Sequence, residues 1–443
     1  MNTQPQPAIA LLHWGDLIED FLDSIGVSFE AFCKEMTGGW LFGYIEALKL
    51  AGVRTVLFCI SAHVTEPMRY IHAPTGATIC VLPVPKIYQV IRRPMLNPYG
   101  WTVKDVFGDV HGVRQRLYAV LRDVAPYLAT PLIELARELR REGCQAILCQ
   151  EYEYARFDAC VLLGQLMRLP VFATFQGGDF QLSRLERPLR PLTIRACAGL
   201  IVATQTEVQR VQSHYGVPSA KLARIFNPID VANWQAIDRA EARAALGIPH
   251  DAQVVVCHGR IDIHRKGLDI LLEAWEQVLR DSFAAARSAD RPERDLRLVL
   301  VGTGTDADKL RQRIAQMQLS GVMWRDEYVR DRTTILRYLS AADVYTLSSR
   351  HEGFPVAPIE AMSCGLPIVA TDAPGVTDIL EGGEASGGLV VPRGDSMALA
   401  LALARVLDNE TWRHELSKRA RCRAAECFSL EAIGKQLRDF LMS

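Results

Sequence analysis

At 443 residues the chain exceeds what one ordinary hydrophobic core supports, so two domains of about 200 residues each are expected. Apolar residues make up 49% and charged residues 23%, a soluble globular composition, and a formal charge of −1 argues against a nucleic-acid partner. Eleven cysteines stand singly, with no C-x-x-C pair and no H-E-x-x-H, so reduced thiols in a cytoplasmic protein are expected, not disulfides or a zinc site.

The N-terminus lacks a charged stretch followed by an apolar run, so no signal peptide is expected, and no apolar run is long enough to span a membrane. Residues 8–13 read as a buried strand, and 14–37 as a loop with a short helix. Gly38-Gly39 then precedes a helical pattern with Leu41, Tyr44, Ile45 and Leu48 on one face, closed by Gly52. Glycines opening a helix let a phosphate approach backbone N–H groups, although a plain tight turn uses the same pair. Residues 53–60 and 78–82 are further strands. Residues 85–103 alternate Lys86, Arg92 and Arg93 with Ile87, Val90, Ile91, Met95, Leu96 and Trp101. That pattern fits a ligand-facing or membrane-surface segment; Pro94 and Pro98 break any helix, and a packed loop explains the apolar residues equally well.

A long helix is expected over 116–142, then a strand over 146–150. The carboxyl end of that strand concentrates Glu151, Tyr152, Glu153, Arg156 and Asp158, a site candidate unless Arg156 merely pairs with an acid on a surface turn. The next strand, 170–174, leads into Gln176-Gly177-Gly178-Asp179, where a glycine pair beside an amide and a carboxylate suits close approach of backbone to a ligand. Residues 200–203 are a strand, and another starts at Ile225 and breaks at Asn227-Pro228-Ile229-Asp230.

The second half restarts the pattern. A strand over 254–257 is followed by Arg260, His264, Arg265, Lys266 and Gly267, then a helix over 268–279. Residues 281–294 read as a solvated insertion, 296–301 as a strand ending in Gly302-Thr303-Gly304, and 306–317 as a helix. A short strand over 322–324 and a helix over 333–342 precede the strand 343–347. Arg260 and Lys266 lie between a strand end and a helix start, where a phosphate is favoured over a solvated pair of charges. After the strand 343–347 comes a loop carrying Glu352, a short helix with Pro358 near its start and Gly365 past its end, and a strand over 368–370. Glu352 and Glu360 suit the hydroxyls of a polyol; on spacing alone, a solvated Glu plus a helix-start Glu fits as well. Strands alternating with helices in both halves mean two Rossmann-like α/β domains.

These motifs together carry a resemblance. Gly259-Arg260 with Lys266-Gly267, Gly302-Thr303-Gly304, and the run 352–367, Glu-Gly-Phe-Pro-Val-Ala-Pro-Ile-Glu-Ala-Met-Ser-Cys-Gly-Leu-Pro, resemble the retaining family-4 glycosyltransferases of GT-B fold. Asn227-Pro228-Ile229-Asp230 is similar to that family's domain-junction motif. The resemblance implies two Rossmann-like domains facing across a deep cleft. Residues 1–227 would bind the acceptor, 228–425 the nucleotide-sugar donor, and 426–443 would pack back on the first domain. Arg260 and Lys266 would hold the donor diphosphate, Glu360 the ribose, and Glu352 would lie by the transferred sugar. Gly353, Phe354 and Pro355 would line the sugar, Arg325 would meet the base, and Gly38, Gly39 and Gly302 would lie near the donor.

By the same resemblance the activity is transfer of a hexosyl group with retention, from UDP-hexose ahead of GDP-mannose. The acceptor would be a hydroxyl on a small molecule, a saccharide or a lipid-linked compound, without metal or cofactor. The family often has His where this chain has Gln176, and Gln cannot take a proton. Asp179 or Glu151 could supply a carboxylate instead, with Tyr152 and Arg156 on the acceptor side. A cytoplasmic protein with peripheral membrane contact is expected. A sugar-nucleotide epimerase and a non-catalytic sugar-nucleotide-binding protein are the alternatives.

Overall fold

A computed structural model describes residues 6–176, 183–288, 294–329 and 331–443. The chain forms two compact units, Met1–Pro228 with Ile433–Ser443, and Ile229–Ala432. Residues 426–432, expected with the C-terminal return, stay with the second unit.

The first unit is built on β1 (Ala8–Leu12), β2 (Arg54–Ser61), β3 (Met68–Ile71), β4 (Thr78–Pro83), β5 (Cys144–Cys149), β6 (Val171–Thr174), β7 (Gly199–Val202) and β8 (Leu222–Arg224). Their order is β3-β4-β2-β1-β5-β6-β7-β8, parallel except for β3 against β4. β1, β6 and β7 are buried along their whole length, as parallel strands covered on both faces must be. Leu12, Phe58, Ile147, Phe157 and Leu200 belong to one core. From β1 the chain builds outward through β2 and β4, then returns to β5 and builds the other way, so the strand order reverses between β1 and β5.

The helix expected over 116–142 is two helices, Val113–Leu128 and Leu132–Arg141. Pro131 separates them, because the residue before a proline is held out of the helical region. Residues 85–103 contain the helix Lys86–Arg92, which stops short of Pro94 with Tyr88 buried and Ile87 and Val90 exposed. β3 has no apolar alternation to announce it; Arg69 within it pairs with Glu142 at 3.2 Å. The strand expected from Ile225 is Leu222–Arg224.

Among the described residues the second unit has six parallel strands, β9 (Gln253–His258), β10 (Leu296–Val301), β11 (Val322–Arg325), β12 (Val344–Leu347), β13 (Ile368–Thr371) and β14 (Gly388–Val391), in order β11-β10-β9-β12-β13-β14. Here the order reverses between β9 and β12. Trp275, Val255, Leu298, Leu310 and Leu403 form its core. The helix after β9 runs Leu268–Ser288, past its expected end and into the stretch expected as an insertion. Its alanines and arginines are good helix formers, so propensity extends the helix where periodicity fades.

The last helix, Leu430–Leu441, ends in the first unit, where it packs on the helix Gly39–Leu50. Contact is backbone to backbone: a Cβ on Gly434 would lie 2.1 Å from the carbonyl oxygen of Ala47. Gly→Ala in a helix interior ordinarily gains roughly 0.5–1 kcal/mol. Gly434→Ala is expected to do the opposite and lower the Tm, and a rise in Tm would contradict this packing.

Candidate functional site

In an open parallel sheet, ligands bind outside the carboxyl ends of the strands where the strand order reverses. In the second unit that point is flanked by the loops after β9 and β12. Three strand-end loops meet there with almost no space between their backbones. A Cβ on Gly302, which has φ +136°, would lie 1.9 Å from the carbonyl oxygen of Gly259. At Gly267 it would lie 2.0 Å from Ser348 O, and at Gly304 2.1 Å from Ile261 O. These glycines are therefore a packing requirement before any ligand is considered.

The loop after β9 is pinned to the loop after β12. Asp262 caps the turn Ile263–Lys266 by accepting from the Arg265 N–H at 2.9 Å. The Arg350 N–H donates to Arg265 O at 2.9 Å, while the Arg350 guanidinium grips Asp269 through two hydrogen bonds of 2.8 and 2.7 Å. This arrangement sets Lys266 Nζ 2.6 Å from Glu352 Oε1, which also accepts from Ser349 Oγ at 2.6 Å. The Glu352 side chain is 7% exposed and that of Lys266 is 24% exposed, so the pair sits at the edge of the protein interior.

A second pair joins the end of β9 to the helix Ala357–Ser363. His258 is the last residue of β9, and its Nε2 lies 2.8 Å from Glu360 Oε2. Tyr345 stands edge-on to the imidazole at 5.4 Å. His258 Nδ1 is buried without a partner among the described residues, so the ring hydrogen is assigned to Nε2, where it serves the carboxylate. Sequence reasoning missed His258. Its signal is a lone imidazole closing the apolar run Val254-Val255-Val256-Cys257.

The other expected donor residues are less committed. Arg260 is exposed and makes no ion pair among the described residues, so the expected cation pair is seated only at Lys266. Arg325 ends β11, accepts the Gly302 N–H on its carbonyl at 3.0 Å, and pairs with exposed Glu327 at 2.8 Å. A Cβ on Gly375 would lie 2.3 Å from Gly353 O, Phe354 tilts against Phe428 at 6.3 Å, and Pro355 is buried. Among the described residues no three His, Cys, Asp or Glu side chains are grouped to hold a metal ion.

In the first unit, Gln176 is locked to Asn227 by two amide hydrogen bonds of 3.3 and 2.8 Å. Its backbone N–H donates to Glu151 Oε2 at 3.2 Å. Glu151 is buried, and that burial pushes its carboxyl up to about 8, with Glu153 adding to the effect. Tyr152 and Arg156, expected on the acceptor side, are internal supports instead. Tyr152 is buried against Glu207 and Arg210. Arg156 is buried and donates to His13 O at 2.6 Å and Asp16 O at 2.8 Å, so it makes no surface ion pair. Gly38 precedes the helix with φ +72°, and Gly39 is the helix's first residue. Asp179, with Gly177 and Gly178, lies outside the described residues.

Two family models match the chain: Glycosyltransferase Family 4 over residues 90–233 and Glycosyl transferases group 1 over residues 238–423. A D-inositol 3-phosphate glycosyltransferase of Nocardioides sp. is 29% identical over 258 residues, covering 56% of this chain and 54% of that protein. The lipopolysaccharide core biosynthesis mannosyltransferase LpsB of Rhizobium meliloti is 28% identical over 228 residues, covering 50% and 60%. The chain spans about half the length of the curated relatives it matches. Among solved structures, Anabaena Alr3699/HepE in complex with UDP superposes with a TM-score of 0.66 at 18% identity, over 98% of this chain and 99% of that one. Sucrose-phosphate synthase from Thermosynechococcus elongatus superposes with a TM-score of 0.63 at 20% identity, over 98% of each chain. At these identities the superpositions speak for the fold alone.

Glu151 generates a pH dependence. A carboxyl raised in the folded chain from an ordinary 4.5 to about 8 holds its proton more tightly there than in the unfolded chain. Stability therefore falls as pH rises between those two values. Glu151→Gln is expected to flatten that fall in a plot of Tm against pH, and an unchanged slope would contradict the assignment.

Proposed function

We propose, on the premise that the chain belongs to the family-4, group 1 glycosyltransferases and has their GT-B fold, that it transfers a hexosyl group from a nucleotide diphosphate sugar to a hydroxyl acceptor with retention of configuration. The observation that carries this reading is the seating of Lys266 against Glu352 at 2.6 Å, beside the His258–Glu360 pair at 2.8 Å, on the reversal point of the second sheet. A cation beside one carboxylate and a second carboxylate held by an imidazole suit a ligand with a pyrophosphate between two polyols.

In this reading Lys266 and Arg260 take the diphosphate oxygens, Glu360 the ribose hydroxyls and Glu352 the sugar. The acceptor hydroxyl attacks the face that the nucleotide leaves. The C–O bond to the diphosphate breaks as the new glycosidic bond forms, and a departing phosphate oxygen receives the acceptor's proton. Charge builds on the leaving group, and the fixed Lys266 ammonium, joined by Arg260, lowers that barrier without a metal. UDP-hexose stands first as donor. GDP-mannose is second, in keeping with the mannosyl transfer named for LpsB.

The proposed setting is the cytoplasm. Among the described residues no helix is long and apolar enough to cross a membrane. Exposed Ile87, Val90, Leu96 and Trp101 support a peripheral membrane contact through that segment. One observation favours a second reading, a binding protein without catalysis: Gln176 stands where the family often has His, and its amide is consumed by Asn227. Nucleotide binding without transfer or donor hydrolysis would select that reading.

Lys266→Ala is expected to lower turnover by about 10²–10³, the range for one lost transition-state donor. Steady-state rates less than about tenfold below wild type would reject the assignment. Glu360→Ala and His258→Phe are each expected to weaken UDP binding by roughly tenfold or more in calorimetry, as for a lost hydrogen bond to a charged group. Unchanged affinity in both would reject the ribose role.

A further inference from the structure

The first sheet has its own reversal point, at the carboxyl ends of β1 and β5, and residues 13–16 leave β1 there. Buried polar groups hold this short loop on every side. Arg156 fixes the carbonyls of His13 and Asp16. The Trp14 N–H donates to Gln150 Oε1 at 2.6 Å. Buried Asp16 accepts from the Tyr88 hydroxyl at 2.5 Å and the Tyr154 hydroxyl at 2.6 Å. The Asp16 N–H donates to the Tyr99 oxygen at 2.9 Å, and the Tyr99 hydroxyl donates to Asp20 at 2.7 Å. Gly15, at φ +86°, packs so that a Cβ would lie 3.0 Å from the Tyr99 oxygen.

The result is an exposed ring on a rigid mount. From residue 11 to residue 18 every position is buried except Trp14, which is 36% exposed. Its ring stacks on Tyr99 at 4.9 Å with 29° between planes, and the Tyr154 ring lies tilted to it by 46° at 5.8 Å. Both tyrosines have their hydroxyls committed to acids, so their rings stay in place. The indole Nε1–H has no hydrogen-bond partner among the described residues, which leaves a donor at the edge of the exposed ring.

We propose that Trp14, mounted on Tyr99, is a carbohydrate subsite on which the C–H face of a pyranose ring rests, and that the acceptor is a pyranoside. A flat apolar face with hydroxyls around its rim matches an indole with a donor at its edge. An alkyl chain would make no use of that N–H. A pre-set aromatic surface also loses little freedom on binding, which favours weak ligands such as single sugars. Only the word acceptor rests on the transferase reading; the sugar platform itself does not.

Saturation-transfer NMR on the full chain tests this, with methyl α-D-glucopyranoside, methyl α-D-mannopyranoside and UDP as probes. The wild type is expected to transfer saturation to the ring C–H protons of at least one glycoside. Trp14→Ala is expected to weaken that glycoside roughly tenfold, as for a lost aromatic contact. Trp14→Phe should restore most of the binding, and UDP signals should be equal in all three proteins, which also reports that the variants are folded. No transfer to either glycoside in wild type, or equal transfer in Trp14→Ala, overturns the proposal. Loss of the uracil signal in Trp14→Ala would give the platform to a nucleobase and overturn it too. Failure of UDP to bind wild type would remove UDP-hexose as the donor, while the glycoside result would still decide the subsite.

Discussion

The ammonium of Lys266 against the carboxylate of Glu352, 2.6 Å apart, is the contact on which the second unit's site depends. Such a pair at the edge of the interior adds little net stability, because both ions give up water to form it. Its consequence is positional. The lysine ends a one-turn helix and the glutamate follows a strand, 86 residues later in the chain. They meet because Arg350 ties their loops together and because Gly267 leaves room for Ser348. Any side chain at Gly267 or Gly302 would push the loops apart, and the ammonium would no longer have a fixed address. On the proposed reading, a diphosphate carries more negative charge than Glu352 and takes over the lysine when donor arrives.

The two sheets present their reversal points differently. In the second unit the strand ends carry ionisable groups that are paired with each other and partly open to water. In the first, the ionisable groups are inside: Arg156 serves two carbonyls, Asp16 two phenols, and Glu151 two backbone N–H groups. That buried chemistry shapes a loop and exposes an aromatic ring. On the proposed reading, the second unit holds the charged donor and the first offers its Trp14 ring to the acceptor.

Much of the fold was legible because parallel strands buried on both faces are short apolar runs, such as residues 254–257 and 296–301, and because glycines mark their ends. The Glu352 to Glu360 spacing and the Arg260 to Lys266 loop were legible as a family pattern. What sequence could not give was the partner of each polar side chain. Arg156 looks like a surface arginine until the carbonyls of His13 and Asp16 are folded onto it from over 130 residues away. Tyr152 likewise reads as a site residue until Glu207 and Arg210 surround it. His258 was missed for the same reason in reverse, since a single histidine at the end of an apolar run gives no hint of Glu360. The break at Pro131 was visible in the sequence, but the helical pattern on both sides concealed it.

The central claim is that one fixed cation and two separately held carboxylates define a nucleotide-sugar site on the second sheet. The most direct measurement is a crystal structure of the full chain grown with a nucleoside diphosphate. The account predicts diphosphate oxygens within hydrogen-bond reach of Lys266 Nζ and ribose hydroxyls on Glu360. A nucleotide bound away from the ends of β9 and β12, with Lys266 still closed on Glu352, would contradict it.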